Sequence, residues 1–328
     1  MKTLVLNHDE VAQVLPMSEC IEVMQEALSA LARGEADQPL RTIFRPDNVH
    51  GVMAMMPSFR RGQTPIFGLK AICVFPDNAA VGKDAHQGGV LLFSGHTGEL
   101  LALVNASAIT AIRTAAVSAV ATRALARKDA SELTIIGAGV QARSHLEAMA
   151  CVRPIKKARI VAQRLEKAQA FVTEFQPKFA FPLEAMQTAE EATCGADLIV
   201  TATTAREPVI KREWISPGAH INAIGTFSPK ARELDTATMR AATLFVDRRE
   251  SALNEAGDYI LAAAEGAIGA DHIHAELGEV LISSRPGRTS DDEITVFKSL
   301  GLAIEDLAAA AHVYQKAAQR NVGTWVEF

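Results

Sequence analysis

Two hydrophobic rhythms divide the chain. In the first third, residues 3–6 read as a short strand, and Asn7 or His8 starts a helix. Ile21, Met24, Leu28 and Leu31 then recur at three- and four-residue spacing, which predicts an amphipathic helix over 18–33 with Gly34 as its stop. Strand-like runs follow at 40–44, 51–56, 67–75, 89–94 and 100–105. Pro57-Ser58, Pro76-Asp77-Asn78 and Gly95-His96-Thr97-Gly98 separate them as turns. The pattern predicts a mostly antiparallel sheet under a helical lid. The alanine-rich stretch 107–127 reads as a connecting helix, and 128–131 as a joint.

Beyond that joint, short apolar strands alternate with helices. Strands are expected at 133–136, 158–162, near 179, and at 197–202, 221–224 and 244–247. Helices are expected at 165–175 and 189–194, with one long helical region over 296–320. The richest stretch is Leu133-Thr134-Ile135-Ile136 followed by Gly137-Ala138-Gly139-Val140-Gln141-Ala142. Strand, glycine turn and helix in that order form the phosphate entry of a dinucleotide-binding fold. Gly137 permits the turn, Gly139 lets backbone approach a pyrophosphate, and Ala142 lets helix and strand pack. Val140 and Gln141 open a helix whose free N–H groups and dipole suit phosphate. A second strand arrives about twenty residues later, as one βαβ unit requires. Thr203 lies just past a strand end, where open α/β sheets bind ligands.

Composition narrows the function class. The formal net charge is −5, with acids and bases interspersed, which argues against nucleic-acid and membrane-surface partners. Cys20, Cys73, Cys151 and Cys194 are scattered, with no metal-type spacing, and read as thiols of a reducing compartment. The opening MKTLVLNHDE turns polar too soon for a signal peptide, and no apolar run reaches membrane-spanning length, so a cytoplasmic protein is expected. His272 and His274 would point to opposite sides of a helix, and HExxH is absent, so no metal is expected. His145 reads as a packing residue, and Asp291-Asp292-Glu293 as an acidic helix start.

Four motifs carry a resemblance. IRTAA at 112–116, IIGAGVQA at 135–142, PGAHINAIG at 217–225 and TVFKSLGLAIEDLA at 295–308 run in the order found in the ornithine cyclodeaminase/mu-crystallin family. The resemblance implies an α/β chain in which a Rossmann domain, 128–301, is inserted in an α+β substrate and dimerisation domain, 1–127 plus 302–328. It also implies a homodimer and NAD(P)-dependent chemistry at the carbon–nitrogen bond of small amino or imino acids. By the same resemblance Arg41, Lys70 and Arg113 would hold the substrate carboxylate. Guanidinium forks and an ammonium suit that role, and charges among apolar neighbours need partners.

The departures choose among activities. The family's cyclodeaminases carry an Asp where this chain has Phe227, and a Glu where it has Ala54. Without both acids, a diamine substrate loses its counter-charges. The sequence therefore sides with ketimine reductases, and the expected reaction is reduction of a small imino acid such as 1-pyrroline-2-carboxylate to proline, with Lys70 also able to give a proton. An amino-acid dehydrogenase or cyclodeaminase, and a non-catalytic mu-crystallin-like binding protein, are the alternatives. Thr114, Gly225, Thr226 and Ser228 join the glycine turn and Thr203 as expected cofactor contacts. At the end of the second strand, Gln163-Arg164 stands where NAD sites usually place an acid. Arg164 can pair with a 2′-phosphate, which favours NADP(H) over NAD(H).

Overall fold

A computed structural model describes residues 2–328, without the side chains of residues 79 and 80. The elements run β1 (Lys2–Leu6), α1 (His8–Val14), α2 (Met17–Ala32), β2 (Ala36–Asp37), β3 (Thr42–Phe44), β4 (Val52–Arg60), β5 (Ile66–Val74), β6 (His86–Ser94), β7 (Leu100–Asn105) and α3 (Ala106–Leu125). Next come β8 (Glu132–Ile136), α4 (Val140–Val152), β9 (Lys157–Val161), α5 (Leu165–Phe175), β10 (Leu183–Ala185), α6 (Ala189–Thr193), β11 (Leu198–Thr201) and β12 (His220–Ala223). The chain ends with α7 (Thr236–Ala241), β13 (Thr243–Val246), α8 (Arg249–Glu255), α9 (Gly257–Ala264), β14 (Ile273–Glu276), α10 (Leu277–Leu281), β15 (Thr295–Lys298), α11 (Ala303–Arg320) and β16 (Thr324–Glu327). It divides into two compact units. One holds the residues up to Ala116 together with Gly301–Phe328, and the other holds Val117–Leu300.

In the first unit the sheet order is β16-β1-β7-β6-β5-β4-β2, with β3 also on β4. Antiparallel pairing dominates; β1 and β7 pair in parallel. Strand alternation gives the sheet two faces. Ala54, Met56, Ile72, Val90, Leu92, Ala102 and Val104 are buried on one, with α11 packed over it and α2 packed against α11. The other carries Met53, Phe67 and Leu103, each about 40–50 % exposed, and the cross-strand neighbours Leu69, Leu91 and Leu103.

Pro57-Ser58, expected as a turn, lies inside β4, where Pro57 pairs with Leu69. On its other side β3 covers residues 53–55 and β2 covers 59–60, so Pro57 has one edge unpaired. A missing N–H is tolerated at such a position.

In the second unit the described strands form a parallel sheet in the order β10-β9-β8-β11-β12-β15-β13-β14. Its first half is the 3-2-1-4-5 order of the doubly wound dinucleotide fold. Three expectations are corrected here. The strand placed near residue 179 lies at Leu183–Ala185. The helical region expected over 296–320 begins with a strand, β15, whose four residues are all buried between β12 and β13. Asp291-Asp292-Glu293 therefore leads into a strand rather than a helix, and the Glu293 carboxylate accepts from the Thr289 backbone and the Thr243 hydroxyl. A buried parallel strand reads as a continuous apolar run, which periodicity does not separate from a helix.

Contrary to expectation, α3 is long and apolar enough to cross a membrane by length and composition. About two thirds of that stretch is buried within the protein, as in a core helix.

Candidate functional site

Each unit carries a buried ionic cluster, and the expected site residues belong to both. In the first unit, alternation along β5 puts Lys70 on the helix-covered face between Gly68 and Ile72, and leaves it 2 % exposed. Arg113 projects from α3 and is 4 % exposed. The first turn of α11 brings Glu305 and Asp306, both buried, to these two bases. One atom, Asp306 Oδ1, accepts from Lys70 Nζ at 3.0 Å and from Arg113 Nε at 2.9 Å. Glu305 Oε2 accepts from Arg113 Nη1 at 2.7 Å and from the Leu302 backbone N–H at 3.0 Å. The turn before α11 is seated by Arg41, which is half-buried and donates to the Gly301 carbonyl at 2.9 Å. The amide oxygen of Gln38 accepts from Ile304 N–H at 2.8 Å.

The electrostatics follow from burial. Burial lowers the Lys70 pKa, Arg113 lowers it further, and Asp306 partly restores it, leaving it at about 8. Burial alone would raise Asp306, but the charges of Arg113 and Lys70 outweigh it and hold that carboxyl below its ordinary range. His86, on β6, is pushed down to about 4 by burial and by both cations, and Cys20, on α2, is pushed up to about 12 by burial. At neutral pH the cluster thus holds a charged Lys70 and Asp306 beside an uncharged imidazole and thiol.

In the second unit, Gly137 has a φ of +127°, and an added Cβ would press on the Ala202 carbonyl, so the turn requires glycine. A Cβ on Gly139, at the N-cap of α4, would meet open space. Val140 is exposed, Gln141 half-buried and Ala142 fully buried against the sheet. Thr114, on α3 but within the first unit, is half-buried. Arg164 is exposed at the N-cap of α5, beside exposed Gln163. His145 is buried; Nδ1 donates to the Gln141 carbonyl at 2.7 Å and Nε2 accepts from the Ser118 hydroxyl at 2.9 Å. Burial lowers its pKa to about 4, so it stays neutral.

The loops after β11 and β12 are tied to one carboxylate. Glu233 accepts from Thr201 Oγ1 at 2.9 Å, from Thr203 N and Oγ1 at 2.8 Å, and from Gly225 N at 2.7 Å. Burial raises its pKa. Gly225 has no room for a side chain, because a Cβ would strike the Thr203 backbone and the Glu233 carboxylate. Asp258 accepts from the backbone of Glu233 and Leu234, from Thr226 Oγ1 and from Lys298 Nζ at 2.8 Å. Lys298 also donates to the Thr226 carbonyl at 2.8 Å. Ser228 is half-buried, and its hydroxyl accepts from the Lys230 N–H in a turn. Phe227 is 42 % exposed, while Ala54 is buried in β4.

Glu305, Asp306, Glu233, Asp258 and Lys298 do not stand out as site residues in the sequence alone. Glu305, Asp306 and Lys298 lie inside TVFKSLGLAIEDLA, and a lysine within an apolar run signals a buried partner. Glu233 and Asp258 carry no such signal. His274 lies on a strand, not a helix. His272 and His274 each contact a backbone carbonyl, of Met239 and Pro286 respectively. Among the described residues no group of three His, Cys, Asp or Glu side chains is gathered for a metal.

The model of the ornithine cyclodeaminase/mu-crystallin family matches residues 1–321. A Delta(1)-pyrroline-2-carboxylate reductase of Bacillus cereus is 41 % identical over 326 residues, covering 99 % of this chain and all of that protein. A solved Thermococcus litoralis Delta(1)-pyrroline-2-carboxylate reductase, in complex with NADH and L-proline, superposes with a TM-score of 0.96 at 42 % identity, covering 99 % of this chain and 100 % of that one. An archaeal alanine dehydrogenase dimer with bound NAD gives a TM-score of 0.94 at 36 % identity, with both chains fully covered.

Proposed function

This chain belongs to the ornithine cyclodeaminase/mu-crystallin family, and from that premise we propose that it reduces a small imino acid, such as 1-pyrroline-2-carboxylate to proline, with hydride from NAD(P)H. The observation that carries this reading is the buried Lys70–Arg113 pair, set among acids, in a chain that has Ala54 and Phe227 where a diamine substrate needs carboxylates. The Bacillus and Thermococcus relatives support it, since both are named for that reaction.

Lys70, Arg113 and Arg41 hold the substrate carboxylate, which directs the C=N carbon. When bound, the dinucleotide supplies the hydride. Lys70, with its pKa lowered to about 8, gives a proton to the imine nitrogen and regains one from solvent. The turn from Gly137 to Ala142 holds the pyrophosphate, and Thr114, Thr203, Gly225, Thr226 and Ser228 line the nicotinamide end. Glu233 holds the loops after β11 and β12 in place for that contact. Gln163 and Arg164 support acceptance of the 2′-phosphate of NADPH, because no carboxylate lies between the end of β9 and Glu166. In this proposal residues 1–127 with 302–328 form the substrate and dimerisation domain and 128–301 the cofactor domain.

The test is NADH and NADPH consumption with a panel of cyclic ketimines, linear imines, and keto acids with amines. Turnover of a cyclic imino acid, without NADH release from L-alanine or L-ornithine, is the expected result. Cofactor binding with no turnover would replace this reading with that of a binding protein.

A homodimer is part of the proposal. The uncovered apolar face built around Leu69, Leu91 and Leu103 suits a second copy, and the alanine dehydrogenase relative is a dimer. Leu91→Glu is expected to give monomers in light scattering, because it places a charge at the centre of that face. A dimer that survives the substitution would place the interface elsewhere.

A further inference from the structure

We propose that Asp306 is a positioning residue, which fixes Lys70 and Arg113 relative to one another and keeps Lys70 in its charged form for the substrate acid. The inference rests on the proposed carboxylate-binding role of those bases. Its basis is geometric: two cations from different elements, β5 and α3, converge on the single atom Asp306 Oδ1. Neither base touches substrate through Asp306. The acid acts by limiting where Nζ and the guanidinium can be.

Burial of the cluster makes this arrangement consequential. Lys70, Arg113, Glu305 and Asp306 are each at least 95 % buried, so neither base can use bulk water as a substitute partner. The groups that face Lys70 come from every element packed around it. They are Arg113 on α3, Arg41 before β3, His86 on β6 and Asp306 on α11, with Glu305 and Cys20 next to Arg113. Arg113 and Arg41 disfavour a charged Lys70, and His86 is neutral. Asp306 is the acid that favours it. Glu305 serves Arg113 and the Leu302 N–H, so the two neighbouring acids are not interchangeable.

The experiment compares wild type with Asp306→Asn and Glu305→Gln in steady-state imine reduction across pH. In wild type, kcat/KM for the imine falls as pH rises through about 8, where Lys70 loses its proton. Asp306→Asn is expected to move that basic limb down by at least one pH unit and to raise the imine KM at least tenfold, with the NADH KM changed less than twofold. Glu305→Gln is expected to raise the imine KM and leave the limb where it was. Coincident limbs in Asp306→Asn and wild type would overturn the proposal, as would an equal displacement in Glu305→Gln. Should Asp306→Asn fail to fold, Asp306→Glu replaces it: the kept charge predicts an unmoved limb with a raised imine KM, and a displaced limb would overturn the proposal. Calorimetric titration of the NADH-loaded enzyme with L-proline reads the same limb as an affinity. A limb that shifts in binding while no imine is turned over would sink the reductase reading and leave the role of Asp306 standing.

Discussion

Replacing Lys70 with alanine is expected to lower kcat/KM for the imine by about a hundredfold or more, the scale seen when one preorganised polar group is removed from a reacting centre. Two losses combine. Under the proposed mechanism the substrate acid would lose one of its buried cations, and the imine nitrogen would lose its proton source. The fold should survive, because Asp306 keeps its contact with Arg113 at 2.9 Å and the truncated side chain leaves β5 pairing intact. The NADH KM should change little, since Lys70 is not among the proposed cofactor contacts, most of which lie in the glycine turn and in the loops after β11 and β12. Steady-state NADH oxidation at neutral pH checks this, with thermal denaturation as the control for folding. A variant with wild-type kcat/KM would remove Lys70 from the chemistry.

The contrast between what the sequence revealed and what it hid has physical causes. The glycine turn is legible because its backbone conformation admits few residues, and a Cβ on Gly137 would strike the Ala202 carbonyl. The antiparallel strands were legible from their turns, except at Pro57, where the gap between β2 and β3 allows a proline inside a strand. β15 reads as helix in the sequence because its apolar residues adjoin those of α11, and a strand buried on both faces shows no alternation. Lys70 and Arg113 stood out as charges among apolar residues. Their acids did not, because Glu305 and Asp306 sit where acids ordinarily begin a helix, stabilising its positive end. Only the tertiary placement of α11 shows that these two acids also serve the bases. Glu233 was hidden for a different reason: its partners are mainly backbone N–H groups and hydroxyls of distant loops, which leave no trace in local pattern.

Lys298→Met is expected to cost about 3–5 kcal/mol of stability at neutral pH, the usual cost of breaking a buried ion pair from one side. Lys298 is 1 % exposed, and its ammonium lies 2.8 Å from Asp258, which is wholly buried. The same network holds a second acid, Glu233, so one base offsets two carboxyls. In wild type, burial would raise Asp258, but the Lys298 charge and the hydrogen bonds to Lys298, Leu234 and Glu233 hold it below its ordinary range. A depressed carboxyl contributes stability above its unfolded pKa, and that contribution is lost as pH falls through the folded value. Without Lys298 the sign reverses, because burial then favours the protonated acid. The gap between variant and wild type should therefore be widest at neutral pH and narrow as pH drops below about 4, the ordinary carboxylate range. At neutral pH the unfolding midpoint should fall by roughly 6–20 °C. The double variant Lys298→Met/Asp258→Asn should recover part of the loss, because no unpaired charge remains inside. Equal midpoints for Lys298→Met and wild type at neutral pH would mean that this ion pair contributes nothing net to the second unit.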